Sequence, residues 1–150
     1  MPERFDTVQQ VVAALERDGR EDALVRFSGS GAQTLTRAEL GRLAQRLARG
    51  LDRRGIGPGS RVALFAENRL ETVALALAVL RAGAVVAPLD PQLSGENLGH
   101  VAADADPALV LAARPQAEAL DKVMDDTPPI LLLEEPAPEG SGARVRDEDG

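Results

Sequence analysis

A chain of 150 residues has room for one domain with a real core, and its net charge of −7 excludes the basic footprint that nucleic-acid binding requires. The absence of cysteine excludes a disulfide framework, a thiolate nucleophile and a cysteine-built zinc site. The only aromatics are Phe5, Phe27 and Phe65, so Ala, Val and Leu must build the core, which suits helices on a parallel sheet and not platforms that stack bases.

The opening MPERFDTVQQ lacks the apolar stretch of a signal peptide. Val8, Val11, Val12 and Leu15 then fall at helical spacing, and Gly19 stops that helix. Ala23 to Ser28 reads as a strand, Gly29-Ser30-Gly31 as a turn, and Ala32 to Leu35 as a hairpin partner. Thr36-Arg37-Ala38-Glu39 is a capping-box pattern. The helix it opens has an apolar face of Leu40, Leu43, Ala44, Leu47 and Leu51, opposite Arg42, Arg46, Arg49 and Arg53.

From Gly55 the pattern changes. Arg61 to Ala66, Ala84 to Leu89, Ala108 to Ala112 and Ile130 to Leu133 are short apolar runs without alternation, as expected of strands buried on both faces. Helical segments separate them at Leu70 to Ala82, Gly95 to Ala105 and Pro115 to Met124. Repeated strand–helix–strand units predict right-handed crossovers and a mainly parallel α/β sheet. Gly83 falls where a left-handed helix cap is expected, and Pro88 and Pro91 end the second of these strands. The longest apolar run, Val73 to Leu80, is far too short to span a bilayer, so a soluble cytoplasmic protein is expected. Two units are expected, a folded one over 1–133 and a loop or disordered tail over 134–150. The tail, rich in Pro and Gly, holds six acids and two arginines, a net −4 of the total.

Few residues invite chemistry. Neither Gly29-Ser30-Gly31 nor Gly55-Ile56-Gly57-Pro58-Gly59 has the lysine of a Walker loop. The second also leaves a helix and enters a strand, the reverse of a dinucleotide fingerprint, so both read as turns and helix caps. His100 is the only histidine and reads as a solvated helix residue without triad or metal logic. The arginine face reads as solvated, and Asp104, Asp106, Asp125 and Asp126 as caps and turn residues. Glu67-Asn68 is the best-placed pair, because ligands in open α/β folds gather at the carboxyl ends of strands. Asn68, with Glu71 three residues on, also has the pattern of an ordinary helix N-cap, which is the preferred reading.

Three segments resemble the opening of the AMP-forming acyl-CoA synthetase and adenylation-domain superfamily. Leu35-Thr36-Arg37-Ala38-Glu39-Leu40 is similar to its early Leu-Thr-Tyr-x-Glu-Leu motif, with Arg37 in place of the aromatic. Gly55 to Leu64 resembles its Gly-Val-x-Pro-Gly-Asp-Arg-Val-Ala strand entry, and Leu80 to Asp90 its Leu-Lys-Ala-Gly-Ala-x-x-x-Pro-Leu-Asp motif. The likeness covers about residues 5 to 133 in matching order and spacing. It implies the N-terminal subdomain of the adenylate-forming fold and an ATP- and Mg²⁺-dependent ligase. Such an enzyme forms an acyl-adenylate from a carboxylic acid and passes the acyl group to a thiol, usually CoA or phosphopantetheine.

The matching motifs are scaffold motifs in that family. Its phosphate loop and catalytic lysine should lie beyond this chain, where Lys122 is the only lysine. No catalytic, cofactor-binding or metal-binding residue is therefore assigned, and no ATP, Mg²⁺ or CoA is expected on these residues alone. Ala66-Glu67-Asn68-Arg69 before an aliphatic helix resembles fatty-acid ligases somewhat more than amino-acid-activating domains. Two readings of different class follow: a piece of a fatty-acid CoA ligase, completed by its remaining subdomains, or a self-contained α/β interaction module derived from one. A continuing reading frame past codon 150 with a Ser/Thr/Gly-rich loop and lysine would favour the first. The fragment reading also predicts uncovered apolar surface and self-association, with Leu70 to Ala82 as the main contributor.

Overall fold

Two helices end in the same way, and each ending launches a strand. The computed structural model describes residues 4–133 except 18, 30 and 68, so the expected tail lies outside the described residues. Helix α2 (Arg37–Arg53) stops at Gly55, whose φ is +76°, and helix α3 (Leu70–Arg81) stops at Gly83, whose φ is +79°. Gly55 N–H donates to the Asp52 carbonyl and Ile56 N–H to the Leu51 carbonyl. Gly83 N–H and Ala84 N–H repeat this on Leu80 and Val79. Both are Schellman caps, and in both the flanking apolar pair, Leu51 with Ile56 or Val79 with Ala84, joins the same buried cluster.

At Gly83 a side chain meets two obstacles. Its backbone is left-handed, and a Cβ would lie 3.2 Å from Pro58 Cγ. Gly83→Ala is expected to cost about 1–2 kcal/mol from the dihedral alone, with the Pro58 contact adding to it. Chemical denaturation would show this as a lower midpoint at unchanged slope.

The capping box forms as expected. Thr36 Oγ1 accepts from Glu39 N–H at 3.3 Å, and Glu39 Oε2 accepts from Thr36 N–H at 2.9 Å. The backbone bond from Thr36, then that from its hydroxyl, holds the Glu39 carboxyl below the usual carboxylate range. Thr36→Ala is expected to cost about 1 kcal/mol. Because the Glu39 pKa is depressed in the folded state, its contribution is full above the unfolded pKa and lost as pH falls through the folded one. The gap between wild type and Thr36→Ala in urea midpoints should therefore narrow on acidification.

The first elements form a helix and a hairpin. Helix α1 (Val8–Arg17) precedes β1 (Asp22–Ser28), which pairs antiparallel with β2 (Gly31–Thr36) in a two-stranded sheet of its own. The other strands, β3 (Arg61–Phe65), β4 (Val85–Pro88), β5 (Leu109–Ala113) and β6 (Ile130–Leu133), form a parallel sheet in the order β4-β3-β5-β6. Helices α3, α4 (Gly95–Ala105) and α5 (Arg114–Asp121) are its crossovers.

The order explains the layers. The chain moves one way from β3 to β4, then returns past β3 to β5 and continues to β6. Right-handed crossovers must then place α3 on one face and α4 and α5 on the other. Strand alternation agrees. Val62, Leu64, Leu109 and Leu111 pack with Ala48 and Leu51 of α2 and Leu75, Ala78 and Val79 of α3. Ala63, Phe65, Val110 and Ala112 pack with Leu98 and Ala102 of α4 and Ala117 and Leu120 of α5.

Two expectations are corrected. Only β3 and β5 are buried on both faces; β4 and β6 are partly exposed because they are the sheet's edges. Helix α3 is also not an uncovered apolar surface. Leu70, Thr72, Ala74, Leu75, Ala78 and Val79 are buried, with Ala74 against Leu40 and Leu43 of α2, and Leu75, Ala78 and Val79 in the cluster with the sheet. An all-round apolar helix is covered on two sides, here by the chain's own elements.

Candidate functional site

The sheet order places a topological switch point between β3 and β5, where successive crossovers diverge to opposite faces. In open α/β sheets the crevice outside the carboxyl ends at such a point is the usual ligand site. Here that rim comprises Ala66 and Glu67 after β3, Leu89 and Asp90 after β4, and Arg114 at the start of α5. Glu67, Asp90 and Arg114 are exposed.

The rim is tied together by hydrogen bonds. Thr72, buried in the first turn of α3, donates from Oγ1 to the Glu67 carbonyl at 2.9 Å. Asp90 accepts from Gln92 N–H through Oδ1 at 2.9 Å and from Leu93 N–H through its carbonyl at 3.0 Å, which turns the chain from β4 toward α4. Gln116 Nε2 donates to the Pro91 carbonyl at 3.4 Å. Since β4 and β5 flank β3, this last bond links the first turn of α5 to the loop after β4, across the end of the central strand.

The expected cap at Asn68 is displaced. The N-cap of α3 is Arg69, one residue later, with no side-chain cap bond, and Asn68 lies outside the described residues. Glu67 of the pair does lie on the rim. His100 is exposed on α4, 3.9 Å from Glu96, as a solvated helix residue would be. Arg42, Arg46, Arg49 and Arg53 are exposed along α2. Asp125 and Asp126 lie in a bend, while Asp104 is inside α4 and caps nothing.

Asp106 is a cap as expected, and it also carries a long-range pairing that short-range reading missed. It is the C-cap of α4 at φ +42°, the one non-glycine with a positive φ among the described residues. Arg61 Nη2 reaches its Oδ2 at 2.9 Å, and Arg61 Nε and Nη2 donate to its carbonyl at 3.3 Å. The pair pins the amino end of β3 to the turn that enters β5, at the edge opposite the rim. Its only trace in the sequence is a charged residue leading an apolar strand.

ATP does not fit the residues present. The rim carries no glycine-rich loop, and its exposed charges are mixed, with Glu67 and Asp90 beside Arg114 and no lysine. Lys122 caps the carboxyl end of α5, at the sheet's opposite edge. Among the described residues no three His, Cys, Asp or Glu side chains are grouped for a metal ion. What the rim offers is a rigid platform.

A family model described as AMP-binding enzyme matches residues 11–149. The chain belongs to the AMP-binding enzyme family. Surfactin synthase subunit 3 of Bacillus subtilis is 41% identical over 86 residues, which are 57% of this chain and 7% of that protein. The structure of VinN with L-aspartate superposes with a TM-score of 0.71 at 32% identity, covering 83% of this chain and 34% of VinN. The acyl-CoA synthetase of Brucella canis superposes with a TM-score of 0.78 over 95% of this chain and 26% of its own, and at 22% identity it shows the shared fold. The chain thus spans a small part of its relatives. The resemblance to the N-terminal portion of an adenylate-forming enzyme holds in family and in fold. Among the described residues no helix is long and apolar enough to cross a membrane.

Proposed function

We propose that this chain is the N-terminal scaffold of an ATP-dependent, AMP-forming ligase that activates an amino acid as its acyl-adenylate. The observation that carries this reading is the 32% identity to VinN, described with L-aspartate, over 83% of the chain. The 41% identity to surfactin synthase subunit 3 supports the same class. The fatty-acid reading rested partly on the aliphatic residues of α3. Ala74, Leu75, Ala78 and Val79 of that helix pack on the protein's own sheet and on α2, which leaves them little part in an acyl pocket.

In this reading the 150 residues supply the parallel sheet and its rim, and segments outside them supply the groups that hold ATP, Mg²⁺ and the thiol acceptor. The test uses the protein from the longer reading frame in ATP–pyrophosphate exchange with the standard amino acids and with straight-chain fatty acids. Exchange with one amino acid at least tenfold above any fatty acid is expected. Exchange stimulated by fatty acids alone would overturn the reading.

A further inference from the structure

The β1–β2 hairpin has one finished face and one open face. On the finished face Leu24 and its cross-strand partner Leu35 pack against Leu40 and Leu43 of α2 and Ala74 of α3. On the other face stand Val25, paired with Thr34, and Phe27, paired with Ala32. Phe27 is 81% exposed and Val25 45%. Phe65, by contrast, is fully buried. A two-stranded ribbon with a large aromatic in water is marginal unless something packs on it.

We propose that this face, Val25 and Phe27 with Ala32 and Thr34, is the docking surface for the remainder of the adenylate-forming enzyme. The proposal rests on the fragment reading above. The chain covers 34% of VinN and 26% of the Brucella canis enzyme, so such proteins carry two to three times as much further polypeptide that must pack somewhere. The helices on both sides of the parallel sheet are already seated on it, and α3 is covered by the sheet and α2 apart from Val73. The hairpin face pairs the most exposed large apolar side chain among the described residues with a second one on the same strand. The occupant is therefore an apolar segment of the same longer polypeptide, not a soluble ligand.

Because the chain has no cysteine, Phe27→Cys and Val25→Cys give clean probes. Each is placed in the 150-residue chain and in the longer protein, and maleimide labelling of that peptide is timed by mass spectrometry. Labelling at either position is expected to be at least tenfold slower in the longer protein. Equal rates would overturn the proposal, as would a 150-residue chain that is a dimer by light scattering and labels slowly at both sites, since a second copy would then be the occupant. A longer protein active in exchange but unprotected at both positions sinks this proposal and leaves the ligase reading standing. Protection without exchange activity does the reverse, and a reading frame that stops at codon 150 removes both.

Discussion

Phe65→Ala is expected to remove about 3–5 kcal/mol of stability, the range for deleting a buried aromatic side chain. Phe65 ends β3, is fully buried, and packs in the cluster built from Ala63, Val110 and Ala112 of the sheet and Leu98 and Leu120 of α4 and α5. A cavity there cannot collapse easily, because parallel neighbours on either side fix the strand. A domain of this kind is stable by about 5–15 kcal/mol, so the variant should sit close to unfolding. The chain has no Trp or Tyr, which makes far-UV circular dichroism in urea the suitable measurement. Phe27→Ala in the same chain should change stability by no more than about 0.5 kcal/mol, as is usual for an exposed position. Equal effects at the two phenylalanines would contradict the packing described.

The 150-residue chain is expected to give no ATP–pyrophosphate exchange with any amino, aryl or fatty acid. Neither a phosphate loop nor a pair of lysines is present, and Lys122 stands at the edge of the sheet opposite the rim. Exchange clearly above background in a pure sample would refute both this expectation and the assignment of the chain as scaffold.

Much of the fold was legible because local chemistry decides it. Thr36 with Glu39, Gly55 and Gly83 mark helix ends through bonds and dihedrals within a few residues, and each sits as its pattern predicts. The apolar runs marked the four strands of the parallel sheet to within a residue or two, and the three motifs pointed to the family that the matched model shows. The capping pattern at Asn68 misled by one position, since Arg69 takes the cap and Thr72 satisfies the Glu67 carbonyl from inside the turn.

The rest required the tertiary structure, because it depends on residues far apart in the chain. Runs of similar composition become central or edge strands according to pairing order, which no single run contains. Asp106 is one aspartate among many until the fold brings Arg61 to 2.9 Å. The apolarity of α3 gave no sign of whether its cover was internal, whereas the packed layers show that it is. Phe27 and Phe65 are alike in sequence, yet one is exposed on a two-stranded ribbon and the other sealed between layers, since burial depends on what lies across the strand. The sequence by itself determined the local elements, the helix caps and the family; only the assembled layers decided which strands are central and which apolar face remains open.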